Sequence, residues 1–220
     1  MSGGNYKSVF DIIGPVMVGP SSSHTAGAVA IGQAAHKIFG EKLKKVTIDY
    51  YESFAKTHQG HGTDYAIIAG VLGMETDDLR VPRAVEIAQK QGIEVIFNEH
   101  EGTSPINHPN TAIITLENDT KKIKVSGCSI GGGTIEIRDL EVEGCHFTPL
   151  GPLPIMLCWT GGNDPVDIKA HLSHDNIQIR KESALSQAGG RYIHELDLDR
   201  MPHPKVLDQI KAVSSGLICL

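Results

Sequence analysis

The chain has 220 residues, 40% of them hydrophobic and 21% charged, which is the composition of an ordinary soluble globular protein. There are 20 basic and 26 acidic residues, a net charge of −6 with no basic cluster, which argues against nucleic-acid binding. The longest apolar runs are far too short to cross a bilayer, and Met1-Ser2-Gly3-Gly4-Asn5 lacks the marks of a secretion signal, so a cytoplasmic location is expected.

Residues 6–15 read as a short amphipathic lead-in with Val9, Phe10, Ile12 and Ile13 apolar. An extended run, Val16-Met17-Val18, enters a Gly19-Pro20 turn, and Ser21, Ser22, Ser23, His24 and Thr25 follow. Thr25 to Phe39 then reads as a helix whose small residues, Gly27, Ala28 and Gly32 among them, suit close approach of another backbone. Free N–H groups at a helix start, beside serine hydroxyls, make a receptor for a carboxylate or phosphate. One serine is enough to cap a helix, and three before His24-Thr25 exceed that need.

Lys45 to Glu52 alternates as a strand, with Val46, Ile48 and Tyr50 on one face. A second loop-to-helix junction follows, Thr57-His58-Gln59-Gly60-His61-Gly62-Thr63-Asp64, with Thr63 or Asp64 expected as N-cap of a buried helix through Leu72. Pro82 suits the first turn of another helix, which Gly92 stops, and Ile93 to Phe97 is a strand. The polar stretch Asn98 to Asn110 is long enough to be suspected of function. Thr111–Leu116 and Lys122–Val125 read as a hairpin. Gly131-Gly132-Gly133 then breaks the pattern before an alternating Thr134 to Val142.

Gly144 to Pro154 is rich in glycine and proline, and a domain boundary is expected there, giving domains 1–148 and 149–220. The remainder reads as strand (Leu153–Trp159), helix capped at Asp164-Pro165, strands at 176–180 and 192–198, helix (Pro204–Val213) and strand (Gly216–Leu220). That order, β-α-β-β-α-β, is the ferredoxin-like arrangement, and the expected fold class is α+β.

The cysteines at 128, 145, 158 and 219 have no metal-ligand spacing and read as small buried residues in a reducing compartment. Eleven histidines is a high count, and several fall in glycine-rich loops. His58 with His61, and His171 with His174, are too few for zinc without further ligands and are read as non-metal. For His61 two readings stand: a functional imidazole free to project between two glycines, or a loop histidine bonded to a carbonyl. Asn110 likewise reads as a site residue or a turn residue.

Four motifs occur in order: Gly19-Pro20-Ser21-Ser22-Ser23-His24-Thr25, Gly60-His61-Gly62-Thr63-Asp64, His108-Pro109-Asn110-Thr111 and Ser129-Ile130-Gly131-Gly132-Gly133. Together they make the chain resemble the beta chains of bacterial iron–sulfur L-serine dehydratases. The resemblance covers essentially the whole chain and implies an allosteric-substrate-binding-like N-terminal domain and a C-terminal ACT domain. It further implies conversion of L-serine to pyruvate and ammonia. The 4Fe-4S cluster is expected on three cysteines of a partner alpha chain, with no metal ligand here. His61 is expected to be the base, and Ser21, Ser22, Ser23, His24 and Thr25 to grip the substrate carboxylate. Thr63, His108 and Asn110 are further candidates for the same pocket, and self-association through the ACT-like domain is expected. The competing reading is an amino-acid-sensing binding module without a catalytic role of its own. A stand-alone hydrolase is disfavoured, because no nucleophile elbow, zinc signature or phosphate loop is present.

Overall fold

The computed structural model describes residues 15–220, so the amphipathic lead-in lies, but for Pro15, outside the described residues. The chain is a mixed α and β protein that divides into two compact units, one ending at Glu136 and the other running from Ile137 to Leu220.

In the first unit, Ser22–Ala26 forms a π-helical turn that runs directly into α1 (Gly27–Phe39), so the regular helix starts two residues later than its pattern suggests. Val16-Met17-Val18 is not a sheet strand: Val18 N donates to Thr76 O, and the Thr76 hydroxyl donates to Val16 O. Strand β1 (Lys45–Tyr51) buries Val46, Ile48 and Tyr50, as its alternation requires. A short helix, α2 (Glu52–Thr57), follows at once; its single turn and a half carries too little periodicity to read from the sequence. The His61 loop then leads into α3 (Thr63–Val71), and α4 (Ala84–Lys90) precedes β2 (Glu94–His100). Strands β3 (Asn110–Glu117) and β4 (Lys122–Gly131) extend the order to β2-β1-β3-β4, in which β1 is parallel to β2 and antiparallel to β3.

Helix α1 packs on β3 and β4 and against α3. The α1–α3 crossing is a glycine contact. A methyl group added at Gly32 would stand 2.3 Å from Ile67 O, and one at Gly70 would stand 2.1 Å from Val29 O. The two backbones therefore touch where side chains would ordinarily hold helices 8–10 Å apart. The helix-weakening glycines persist because this approach needs them.

Strand β5 (Thr134–Val142) leads into the second unit, where it pairs with β6 (Cys145–Phe147) and β7 (Gly151–Pro152). Next come β8 (Ile155–Thr160), α5 (Val166–His174), β9 (Ile179–Ser186), β10 (Tyr192–Leu198), α6 (Pro204–Val213) and β11 (Gly216–Cys219). These four strands form an antiparallel sheet in the order β11-β8-β10-β9. Met156, Cys158, Leu196 and Leu198 meet Ile168 of α5 and Ile210 of α6 in the core. Pro165, rather than Asp164, is the N-cap of α5, because Asp164 instead pairs with Lys169 at 3.0 Å. Strand β9 lies further along the chain than its apolar pattern suggests, and Val213 is 43% exposed at the end of α6.

Candidate functional site

The serine motif is a tight turn closed by its own first residue. Ser21 is extended (φ −143°, ψ 126°) and its hydroxyl accepts from His24 N at 3.1 Å, while Ser21 O accepts from Thr25 N at 2.8 Å. This is a capping interaction, and it uses only one of the three serines. Ser22, Ser23 and His24 are half-buried, whereas Thr25 is fully buried. Gly19 (φ 154°) is in contact with the Thr25 side chain, where a methyl group would stand 2.3 Å from Cγ2.

The His61 loop is bound to this turn. Thr25 Oγ1 donates to His61 O at 3.2 Å, and His61 N donates to Thr57 O at 3.0 Å, so both backbone polar groups of His61 are held. The exposed His61 ring meets the His24 ring edge to face, with centroids 4.8 Å apart. Gly62 takes the left-handed conformation (φ 70°) and is the N-cap of α3. Thr63 and Asp64, expected as caps, do other things: Thr63 is wholly buried with its hydroxyl unpartnered among the described residues, and Asp64 bonds His58 at 2.6 Å.

The third motif arrives through α2. Pro109 O accepts from Ser53 N at 2.9 Å and from Phe54 N at 3.3 Å, closing the start of α2 on the His108 loop. Ser53 Oγ lies 3.3 Å from His24 Nε2, and the Phe54 ring packs 5.2 Å from the His24 ring. His108 Nδ1 accepts from Asn110 N at 3.1 Å, and Asn110 Nδ2 donates to Ser129 O at 3.3 Å. The fourth motif closes the circuit, since a methyl group at Gly27 would stand 2.2 Å from Ser129 Oγ. Ser53 and Phe54 carried no sequence signal; only the helix between two obvious motifs puts them beside His24.

His24 is held below the usual histidine range, first by burial and then by the neighbouring His61. It is therefore neutral near pH 7 and able to accept or donate one hydrogen bond at each ring nitrogen. The site thus offers hydroxyls, a neutral imidazole and an exposed second imidazole: groups suited to holding an oxyanion and moving one proton. Among the described residues, no three His, Cys, Asp or Glu side chains converge as a metal site, and Cys128, Cys145 and Cys158 are separately buried. An iron–sulfur cluster does not fit the residues described.

Residues 8–139 match the sequence profile of the family described as serine dehydratase beta chain. The chain is 50% identical over 136 residues to the probable L-serine dehydratase beta chain of Bacillus subtilis, covering 62% of this chain and 61% of that one. It is 41% identical over 141 residues to the L-serine dehydratase beta chain of Peptoniphilus asaccharolyticus, covering 64% and 63%. With L-serine dehydratase 2 of Escherichia coli it is 30% identical over 205 residues, 81% of this chain and 43% of the longer protein. The matches to the first two thus span a little over three fifths of those relatives. No helix among the described residues is long and apolar enough to cross a membrane.

Proposed function

This chain belongs to the serine dehydratase beta-chain family, and on that premise we propose that it is one half of an L-serine ammonia-lyase. The reaction removes the Cα proton and the Cβ hydroxyl of L-serine as water; the resulting enamine tautomerises to an imine, which water hydrolyses to pyruvate and ammonia. In this reading His61 takes the Cα proton, since an imidazole titrates near working pH and its exposed ring can reach a substrate. Ser21, Ser22, Ser23 and His24 grip the carboxylate, with His108 and Asn110 behind them, while Thr25, fully buried with its hydroxyl on His61 O, holds the serine turn against the His61 loop. Thr63 has no surface to offer and acts through packing. A 4Fe-4S cluster belongs to the partner alpha chain in this reading.

The observation that supports it most is the joining of two motifs 36 residues apart, by Thr25 Oγ1 on His61 O and by the His24–His61 ring contact. The test is to assemble the chain with its alpha partner without oxygen and measure pyruvate formed from L-serine. His61→Ala is expected to lower turnover by far more than tenfold. A loss within about tenfold, roughly 1.4 kcal/mol, removes the base assignment.

Residues 149–220 are read as an ACT-like, ferredoxin-like domain that senses an amino acid and self-associates. The sheet order β11-β8-β10-β9 with both helices packed into one core supports this. So does buried His194 beside the β8–α5 turn, its Nε2 2.8 Å from Thr160 Oγ1 and 3.1 Å from Gly162 O. Calorimetry of the chain alone with L-serine tests the sensor reading, which requires binding without the alpha partner.

A further inference from the structure

The base of the His61 loop carries a charge cluster that substrate binding does not use. His58, with its side chain 5% exposed, sits between two carboxylates: Nδ1 is 2.6 Å from Asp64 Oδ1 and Nε2 is 2.7 Å from Glu99 Oε1. A neutral imidazole has one N–H, so one ring nitrogen would turn a lone pair on a carboxylate. Both contacts are satisfied only when both nitrogens carry hydrogen. Among the described residues the remaining titratable neighbour is Tyr50 of β1, whose ring stacks on His58 at 4.8 Å. Burial first, and then Asp64, push the Tyr50 hydroxyl well above its ordinary ionisation range, so it adds no charge.

The three acidic and basic partners lie on different elements. His58 follows α2, Asp64 is in the first turn of α3, and Glu99 is on β2. The His58–Asp64 contact spans the two ends of the segment whose apex is His61, and the Glu99 contact ties that segment to the sheet. We propose that His58 is a positioning residue which, as an imidazolium, staples the His61 loop closed and fastens it to β2. The proposal rests on the reading of His61 as the base. Burial alone would lower the His58 pKa, but the hydrogen bonds to Glu99 and Asp64 outweigh it and raise the value above the ordinary one. Rising pH removes the proton, leaves one carboxylate facing a lone pair, and frees the loop. Turnover then falls on the alkaline side while affinity for serine, set by the serine turn, changes little.

The experiment uses the full chain, nitrogen-15 labelled, and follows the His58 ring by NMR; the variant is Glu99→Gln, because Glu99 is 58% exposed and its amide leaves the core intact. Expected are two ring N–H groups on His58 below its titration midpoint, a midpoint above 6.5, and a lower midpoint in Glu99→Gln. A midpoint at or below 6.5, or one that Glu99→Gln does not lower, overturns the imidazolium staple. In the complex with the alpha chain, Glu99→Gln is expected to move the alkaline limb of kcat to lower pH, with KM for serine within about twofold. An unmoved limb overturns the positioning role, since a merely structural contact would lower stability and leave the profile in place. If the wild-type complex makes no pyruvate, the functional reading fails and the positioning role with it; the imidazole titration separates that result from a failure of the staple itself.

Discussion

His24 and His61 meet edge to face, their ring planes 78° apart and their centroids 4.8 Å apart, although 36 residues separate them in the chain. Two imidazoles this close cannot both take up protons freely, and His24 pays in basicity, through burial first and His61 second. In His61→Asn the second cause disappears while the burial stays. The His24 midpoint, followed by NMR, is expected to rise part of the way back towards 6.5. A midpoint unchanged from wild type means that the rings are not in contact in solution. Because the folded value is the lower one, the unfolded chain binds the proton first, and His24 withdraws stability as pH falls below about 6.5.

The α1–α3 contact predicts an asymmetric glycine series. Gly32→Ala and Gly70→Ala each place a methyl group within 2.3 Å of a backbone carbonyl that no rotamer change can move. Either change is expected to cost about 3 kcal/mol, the upper part of the overpacking range, and to lower the midpoint of urea unfolding. Gly92→Ala is the control, because a methyl group there meets nothing within 4 Å; its left-handed backbone (φ 76°) leaves only a conformational cost of about 1 kcal/mol. Equal losses at all three positions would contradict the crossing.

In the second unit, β10 buries two carboxylates, Glu195 and Asp197, opposite Ser183 and Lys181 of β9. Burial first and then the Asp197 charge push Glu195 up to about 7, while the Lys181 charge opposes the shift. Burial raises Asp197 as well, against the Leu150 N–H that donates to it at 2.9 Å. The folded state therefore holds a proton that the unfolded state has released, so stability falls as pH rises from about 4.5 to about 7. The loss is on the order of 3 kcal/mol, as a shift of this size implies. Glu195→Gln should unfold with a much flatter pH dependence across that window and be more stable than wild type at pH 8. Identical slopes for the two proteins would show that Glu195 ionises normally.

Several elements were legible because their signals are local. The alternation of Val46, Ile48 and Tyr50 marks β1, and the spans of β10 and α6 follow from apolar spacing with Pro204 at the helix start. Gly40 ends α1 in the left-handed conformation (φ 63°), as glycine commonly does just past a helix. The small residues of α1 foretold a close backbone contact, though not that Gly70 would be its counterpart. Local reading failed where two side chains could each satisfy the same role. Asp64 is a good N-cap by type, yet a buried imidazole outbids a helix end for its carboxylate, and Gly62 takes the cap by backbone alone.

By itself the sequence determined which stretches hide an apolar face and where glycine and proline end them. Only the tertiary structure decided that Pro109 closes α2, that Ser53 stands beside His24, and that Glu99 reaches His58 across 41 residues. The physical reason is range. Hydrophobic periodicity is written into neighbouring residues, whereas the partner of a polar side chain is chosen by strand register and helix contact between segments far apart in the chain.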